Sequence, residues 1–458
     1  MSLFNSNLGS EKIRRILKRR NVTVFFSGVL GAGMLPLAEL LEKRGVRVFG
    51  NDRRDYAGEY SFLPVTMPLS SVPRADLAVY SLAISEDDAD IVEAKKRGIP
   101  LVSRAELLGA VMHDYPIRIG VSGTHGKSTT VAMLDTILRA SAMRGVTLSG
   151  AELPGGGALS SDGDGFFLYE ACEYKNSFLK THPTVAVITN AELDHTDFFG
   201  SDEDIARSFS EFAMSATDYV IIGNDSPLSA RILELIGNNA YTVGKGIDAD
   251  FQYKINAKSD TGCRFELLFF GVSLGVYSLL AFGEHNVANA SVALAAAYLC
   301  GVDIEKYGCA LESFCGIPRR LELLGEISGR SVWYDYAHHP TEISAAIRSL
   351  RAREGKVCCI FRPHTYTRTA SLWDNFAGAL RLSDSSIILD IYPARETPIP
   401  GIDAVHLANA VGVGCVYQNF DSAVNYCLQN TSGAIVLMGA GEVEDIKNEL
   451  LALINKNQ

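Results

Sequence analysis

Residues 117–130 read IRIGVSGTHGKSTT, and the reading of the whole chain turns on this stretch. A β-branched apolar run (Ile117, Ile119, Val121) enters a turn of Gly123, Thr124, His125 and Gly126. Lys127, Ser128, Thr129 and Thr130 then open a helical pattern continued by Met133, Leu134, Ile137 and Leu138. Strand, glycine loop and helix in that order build a bay of backbone N–H groups at a helix N-terminus. The glycines let the main chain approach phosphate oxygens that a Cβ would hold off. In such a bay Lys127 sits on the β- and γ-phosphates of a nucleotide, and the Ser128 hydroxyl on magnesium. The position five before Gly126 is Val121 rather than glycine, so this is the shortened G-x-x-G-K-[ST] form.

The surrounding chain has 458 residues, which suggests about three domains. At 47% hydrophobic and 21% charged, it has the composition of a globular protein with ample core. No apolar run approaches the roughly 20 residues of a membrane span. The first residues, MSLFNSNLGSEKIRRILKRR, are basic but polar and lack a secretory apolar segment, so a cytoplasmic location is expected. Nine cysteines are scattered without a C-x-x-C pair and read as small buried thiols in a reducing compartment. A net charge of -11 argues against a nucleic-acid partner. The basic cluster Lys12 to Arg20 reads as the solvated face of a first helix, with Ile13, Ile16 and Leu17 inward.

Upstream of the phosphate loop, residues 21–52 (NVTVFFSGVLGAGMLPLAELLEKRGVRVFGND) give strand, glycine turn, amphipathic helix and a second strand. The turn glycines, Gly28, Gly31 and Gly33, are spaced G-x-x-G-x-G, which departs from the dinucleotide fingerprint and disfavours a nicotinamide cofactor. The loop is still suited to a diphosphate, with Asp52 at the end of the second strand placed for a ribose or base contact. A further strand at Leu77 to Ser81, a helix near Asp87 to Arg97 and a strand at Leu101 to Val102 complete a first block.

Downstream, the strand Phe166 to Glu170 leads into Cys172 and Glu173. The apolar run Thr184 to Asn190 delivers Glu192, Asp194, His195 and Asp197 beyond its end. Acidic and imidazole groups past strand termini lie at the edge where α/β sheets bind ligands, which favours a metal role for Glu173 or His195. Residues 251–277 suggest a small antiparallel sheet. Gly283 to Asn289 begins an alanine-rich helix running to Cys300, where His285 and Asn286 either cap that helix or serve a ligand.

The last block opens at Gly316 to Arg320 (GIPRR). Strands at 332–334, 357–361, 387–391 and 434–438 alternate with helical patterns and predict another parallel sheet. Polar clusters follow three of them: Asp335, Tyr336, His338 and His339; His364, Tyr366 and Arg368; Arg395 and Glu396. Three such clusters along one sheet edge point to a cleft.

Taken together, the motifs resemble the Mur ligase family, the ATP-dependent amino-acid ligases of peptidoglycan precursor synthesis. The resemblance runs through Gly28-Val-Leu-Gly-Ala-Gly-Met, Gly123-Thr-His-Gly-Lys-Ser-Thr, Glu170-Ala-Cys-Glu-Tyr, Asn190-Ala-Glu-Leu-Asp-His, Glu284-His-Asn-Val-Ala-Asn, Pro318-Arg-Arg, Asp335-Tyr-Ala-His-His-Pro-Thr-Glu, Pro363-His-Thr-Tyr-Thr-Arg and Gly439-Ala-Gly. It implies an α/β protein of three domains. A Rossmann-like domain over 1–110 would hold a UDP-sugar, a central P-loop domain over 111–317 ATP and magnesium, and a Rossmann-like domain over 318–458 the amino acid.

The implied substrates are UDP-N-acetylmuramate, ATP and L-alanine, with Mg2+ as cofactor, no nucleic acid or membrane partner, and a monomer or weak dimer. By the same resemblance Gly28, Gly31, Ala32, Gly33, Met34, Asp52 and Ser81 would bind the UDP-sugar. Gly123, Thr124, His125, Gly126, Lys127, Ser128, Thr129, His285, Asn286, Asn289, Arg320 and Asp335 would bind ATP. Ser128, Glu173 and His195 would hold the metal, and His339, Tyr366 and Arg368 the amino acid. Lys127, Glu173, His195 and Arg320 would carry the chemistry.

Four positions depart from the family pattern: Leu30 in the first glycine loop, Cys172 where an aspartate is common, and Thr365 and Ala370 where arginines often flank Tyr366-Thr-Arg368. Competing readings are a ligase attaching a whole tripeptide to the same nucleotide sugar, a non-catalytic nucleotide-binding protein on this scaffold, and a sugar-nucleotide dehydrogenase.

Overall fold

A computed structural model describes residues 8–53, 67–196, 198–259, 262–281, 283–394 and 396–456. Asp197 and Arg395, named above, lie outside them. The chain divides into two compact units, one of Met1–Ala191, Ala206–Val243 and Val292–Gly308, the other of Glu192–Ile205, Gly244–Ser291 and Cys309–Gln458.

The first unit holds two parallel arrays. In the smaller, four strands lie in the order Arg47–Asn51, Thr23–Ser27, Leu77–Tyr80, Leu101–Ser103. Parallel strands need covered faces, and Thr23–Ser27 is buried along its whole length. The helix Arg104–Met112 starts from a capping box, Ser103 taking the Glu106 N–H while the Glu106 carboxylate takes the Ser103 N–H. It packs on the first helix, Ser10–Leu17, whose Ile13 and Ile16 are buried while Leu17 is only half-buried.

The larger array runs Tyr241–Gly244, Tyr219–Gly223, Val185–Ile188, Ile117–Ser122, Phe166–Glu170, Gly145–Leu148 and Leu159–Ser161, all parallel except the last. The helix Lys127–Ala140 lies across its central strands. Val185–Ile188 stops short of the expected Thr184 to Asn190, and the residues released at its end, Thr189 and Asn190, turn to the phosphate loop.

In the second unit, Phe251–Ser259, Gly262–Phe269 and Val272–Leu279 form the expected antiparallel meander. A six-stranded sheet follows, ordered Glu322–Ile327, Arg330–Asp335, Ala434–Met438, Val357–Phe361, Ser385–Ile388, Cys415–Tyr417. Period-two alternation sorts its central strands between two cores: Cys359, Phe361, Val436 and Met438 on one face, Cys358, Ile360, Ile435 and Leu437 on the other.

The four expected strands pair in parallel, and one further strand that the sequence reading did not anticipate, Glu322–Ile327, joins at the edge antiparallel to Arg330–Asp335. Ser328 (φ 51°) and Gly329 (φ 75°) form the connecting turn, whose two successive positive φ values match the twist of a tight hairpin. The edge strand carries no alternating pattern to announce it. The strand expected at 387–391 is also shifted and spans Ser385–Ile388.

Candidate active site

In the first unit the strand Ile117–Ser122 ends at Gly123, which adopts φ 137°. A Cβ there would lie 2.0 Å from Thr189 Oγ1, so only glycine fits. Gly126, at φ 77°, is the N-cap of the helix Lys127–Ala140. Between them the loop is clamped from the neighbouring strand. Asn190 Oδ1 accepts the His125 N–H at 2.8 Å, while Asn190 Nδ2 and Thr189 Oγ1 both donate to His125 O, at 2.9 and 2.6 Å. Sequence reasoning quoted Asn190 in a motif but gave neither residue this role.

The Lys127 ammonium donates to Gly123 O and forms an ion pair with Glu173 Oε1 at 3.0 Å. Burial opposes its charge, but Glu173 and Glu170 outweigh that and raise its pKa. Ser128 Oγ donates to Glu170 Oε2 at 2.7 Å, and the same oxygen accepts the Gly150 N–H at 3.0 Å. The loop's cation and hydroxyl thus both face acidic side chains at the end of one strand. Glu170, at the head of the Glu170-Ala-Cys-Glu173 motif, was not singled out, although its place at a strand C-terminus was the available signal. Burial, then the Glu173 charge, pushes the Cys172 thiol pKa up, so this position stays uncharged at neutral pH.

The first glycine loop is held from beneath. Gly28 N and Val29 N donate to Asn51 O at 2.8 and 3.1 Å, and Leu30 N to Asp52 Oδ2 at 2.9 Å. Gly31 N donates to Gly28 O at 3.2 Å. The cradle expected of Gly28 and Gly31 therefore spends those N–H groups within the fold. Among the described residues, the N–H groups of Ala32 and Gly33 have no hydrogen-bond partner. Met34 is buried at the start of the helix Leu35–Lys43, and Ser81 Oγ accepts the Ala83 N–H at 3.3 Å.

In the second unit a different cluster gathers around Asp194, whose Oδ1 accepts from Arg368 Nε at 2.9 Å and from the His195 N–H at 2.7 Å. Burial alone would raise its pKa, but the charge of Arg368, helped by the nearby histidines, lowers it below the usual carboxylate range. Arg368 Nη1 also lies 3.1 Å from His364 Nδ1. The His195 ring stands 4.0 Å from Asp194 Oδ2, and its backbone takes φ 50°.

His339 is buried with both ring nitrogens engaged. Nδ1 accepts the Thr341 N–H that caps the helix Pro340–Glu354, and Nε2 lies 3.3 Å from Leu193 O. Tyr366 opens the helix Tyr366–Ser371 and is half-buried. Arg320 pairs with Glu342 at 3.2 Å. Glu342 also accepts the His338 N–H.

Asp335, expected at a ribose, gives both oxygens to the backbone, accepting from Leu321 N at 2.7 Å and Ala337 N at 2.6 Å. Burial pushes its pKa up to about 6. Asn289 Nδ2 donates to Asn286 Oδ1 at 3.4 Å, and His285 lies in the first turn of the helix Glu284–Leu299 rather than at its cap.

A phosphate loop with a buried lysine and paired carboxylates, on a parallel sheet, defines a nucleotide-triphosphate-binding α/β protein. Three family profiles match the chain: "Mur ligase family, catalytic domain" over residues 23–116, "Mur ligase middle domain" over 121–297 and "Mur ligase, glutamate ligase domain" over 319–441. The UDP-N-acetylmuramate--L-alanine ligase of Caldanaerobacter subterraneus subsp. tengcongensis is 35% identical over 445 residues, covering 93% of this chain and 97% of that protein.

The crystal structure of UDP-N-acetylmuramate-alanine ligase from Thermotoga maritima matches with a TM-score of 0.79 at 21% identity, covering 96% of this chain and all of that one. That of a murein peptide ligase from Psychrobacter arcticus 273-4 matches at 0.68 and 22%, covering 95% and 99%. The chain belongs to the Mur ligase family. Among the described residues no helix is long and apolar enough to cross a membrane.

Proposed function

We propose that this protein joins L-alanine to the lactyl carboxylate of UDP-N-acetylmuramate, consuming ATP through an acyl phosphate. The observation that carries the reading is the Lys127 and Ser128 pair presented to Glu173 and Glu170 on the phosphate loop, in a chain 35% identical along 93% of its length to a ligase of that name. A carboxylate oxygen of the sugar attacks the γ-phosphorus and ADP leaves. The alanine amine then attacks the acyl carbon, loses a proton, and inorganic phosphate leaves. Both steps crowd negative charge, which buried cations and N–H groups stabilise in a closed site.

The oxygen donors Ser128 and Glu173 suit a hard divalent cation, and with His195 would hold Mg2+, whose charge offsets that of the phosphates. Lys127 holds the β- and γ-phosphates, and the Thr189 and Asn190 clamp fixes the loop that receives them. His285, Asn286, Asn289 and Arg320 approach the nucleotide. Asp335 acts by shaping the backbone at Leu321 and Ala337. Arg368 meets the alanine carboxylate. The domains are assigned over 1–110, 111–317 and 318–458, and the protein works in the cytoplasm.

The test is phosphate release from ATP with UDP-N-acetylmuramate and each of L-alanine, glycine, L-serine and L-alanyl-γ-D-glutamyl-meso-diaminopimelate. Turnover with L-alanine at least tenfold above the others supports the reading. Preference for the tripeptide replaces it with the recycling ligase, and no release with any acceptor replaces it with a binding protein.

A further inference from the structure

Immediately after Glu173 the chain leaves the ordinary backbone regions. Lys175 (φ 51°, ψ 34°) and Asn176 (φ 56°, ψ 31°) are both left-handed, successive residues with side chains where glycine would be the usual choice. Asparagine is among the residues that tolerate this region, and lysine is not. Such backbone persists only where its surroundings over-determine it, and it gathers at sites whose geometry is part of the chemistry.

Contacts within the first unit impose the turn. The Asn176 N–H donates to Glu173 O and the Phe178 N–H to Cys172 O, each at 2.9 Å, closing a loop around the backbone of Glu173. Phe178 is buried, its ring stacked on Phe212 at 4.8 Å and edge-on to Phe209 at 5.4 Å. From the same helix, Asp202–Met214, the Ser208 hydroxyl donates to Asn176 Oδ1 at 2.6 Å. Ser208 is itself buried, so this bond satisfies a hydroxyl withdrawn from water. One helix thus grips the turn by a ring stack and by a hydrogen bond, while Lys175 stays exposed with its ammonium 5.2 Å from the centre of the Tyr174 ring. What the turn carries at its head is the Glu173 carboxylate, buried 3.0 Å from the Lys127 ammonium.

We propose that Asn176 and Ser208 are positioning residues for the reaction, the left-handed turn and its hydrogen bond holding Glu173 in the orientation that faces Lys127. The proposal rests on the reading above that gives Lys127 the phosphates and Glu173 the metal. A carboxylate on a looser turn would sample several orientations, and a displacement of about 1 Å in such a site lowers the rate on the order of a hundredfold. Fixing its backbone beforehand removes that loss. Asparagine suits the position because it combines tolerance of the left-handed region with an oxygen acceptor for Ser208. Glycine offers only the first, and alanine neither.

A double-mutant cycle in the full chain tests this, with Asn176→Ala, Asn176→Gly, Ser208→Ala and Glu173→Gln. The readouts are kcat at saturating substrates and, independently of turnover, the affinity for Mn2+ in the presence of ADP by electron paramagnetic resonance. Asn176→Ala should lower both by roughly ten- to a hundredfold and leave the Michaelis constant for L-alanine within about twofold. Asn176→Gly keeps the left-handed backbone and should recover part of the loss. Ser208→Ala leaves the sequence of the turn intact and should lower both quantities about three- to tenfold, the worth of one neutral hydrogen bond. In the Glu173→Gln background Asn176→Ala should add little, because its effect passes through that carboxylate. Losses that multiply in the double variant, as those of independent sites do, would overturn the proposal and leave Asn176 a structural residue. Parent-like values in Asn176→Ala and Ser208→Ala would overturn it too. Unchanged kcat and Mn2+ affinity in Glu173→Gln alone would instead remove the assignment of Glu173, and the proposal with it. Should Asn176→Ala not fold, Ser208→Ala closes the cycle in its place.

Discussion

Arg368 Nε donates to Asp194 Oδ1 at 2.9 Å, with both side chains less than a tenth exposed. The same oxygen holds the His195 N–H, so one carboxylate orients the residue assigned to the amino acid and the residue assigned to the metal. Arg368 is thus no surface arginine on an exposed helix.

Removing one member of a buried ion pair leaves the other uncompensated, at a cost on the order of 3 to 5 kcal/mol. Asp194→Ala is expected to lower the melting temperature by several degrees, and also to raise both the magnesium requirement and the Michaelis constant for L-alanine. Arg368→Lys keeps the charge but loses the planar donor set, so it should raise the L-alanine constant with little change for ATP and UDP-N-acetylmuramate. Steady-state kinetics over the three substrates decide this. A uniform shift in all three, or none, would place the alanine carboxylate elsewhere.

The Lys127–Glu173 pair separates stability from catalysis. Lys127→Met removes the cation that offsets Glu173 and Glu170, so it should lower both turnover and melting temperature. The turnover loss should be about a hundredfold or more, as for removal of one electrostatic contact to a developing charge. Adding Glu173→Gln removes the uncompensated charge. The double variant is expected to regain the melting temperature while remaining inactive. If it regained activity, Lys127 would be a structural partner only.

Stability should fall as pH drops from about 6.5 towards 4, the ordinary histidine value marking the upper bound. Burial holds His338 and His364 neutral, lowering their pKa values to about 3 and about 4. The unfolded chain therefore binds more protons than the folded one in that window, and acid favours unfolding. Asp335 works in the opposite direction, since its raised value of about 6 means the folded state holds the extra proton between pH 4 and 6. Two groups outweigh one. Melting temperatures read at half-unit steps should show a positive slope with pH, flattened in His338→Gln. A flat profile in the parent would remove these histidines as buried neutral groups.

Most of the architecture was legible because strand and helix periods are local. The apolar runs at 166–170, 357–361 and 434–438 became strands with those bounds, since nothing polar interrupted them. The phosphate loop was equally legible, as its glycines answer to backbone conformations that only glycine adopts freely. Short strands such as Leu159–Ser161 and Glu322–Ile327, each at a sheet edge, were not, because pairing with a neighbour defines them more than their own pattern does. Within the candidate site, residue types could be picked out but not their partners. That Ser128 faces Glu170, that Asp194 holds Arg368 and that Asp335 serves the backbone depend on contacts across 42, 174 and 14 positions of sequence.

Gly123 offers the sharpest test of the loop itself. Its φ of 137° disfavours any L side chain, and a Cβ would meet Thr189 Oγ1 at 2.0 Å. That hydroxyl also donates to Ser122 O and His125 O, so it cannot yield without releasing the clamp. Gly123→Ala should therefore damage both the fold around the loop and nucleotide affinity, with backbone strain alone costing on the order of 1 to 3 kcal/mol. Pairing it with Thr189→Ala removes the collision but leaves the strained backbone and the lost hydrogen bonds. The pair is expected to recover part of the melting temperature and little ATP affinity, read by thermal unfolding and by titration with a non-hydrolysable ATP analogue. Parent-like affinity in Gly123→Ala would mean that the loop does not receive the phosphates in this conformation.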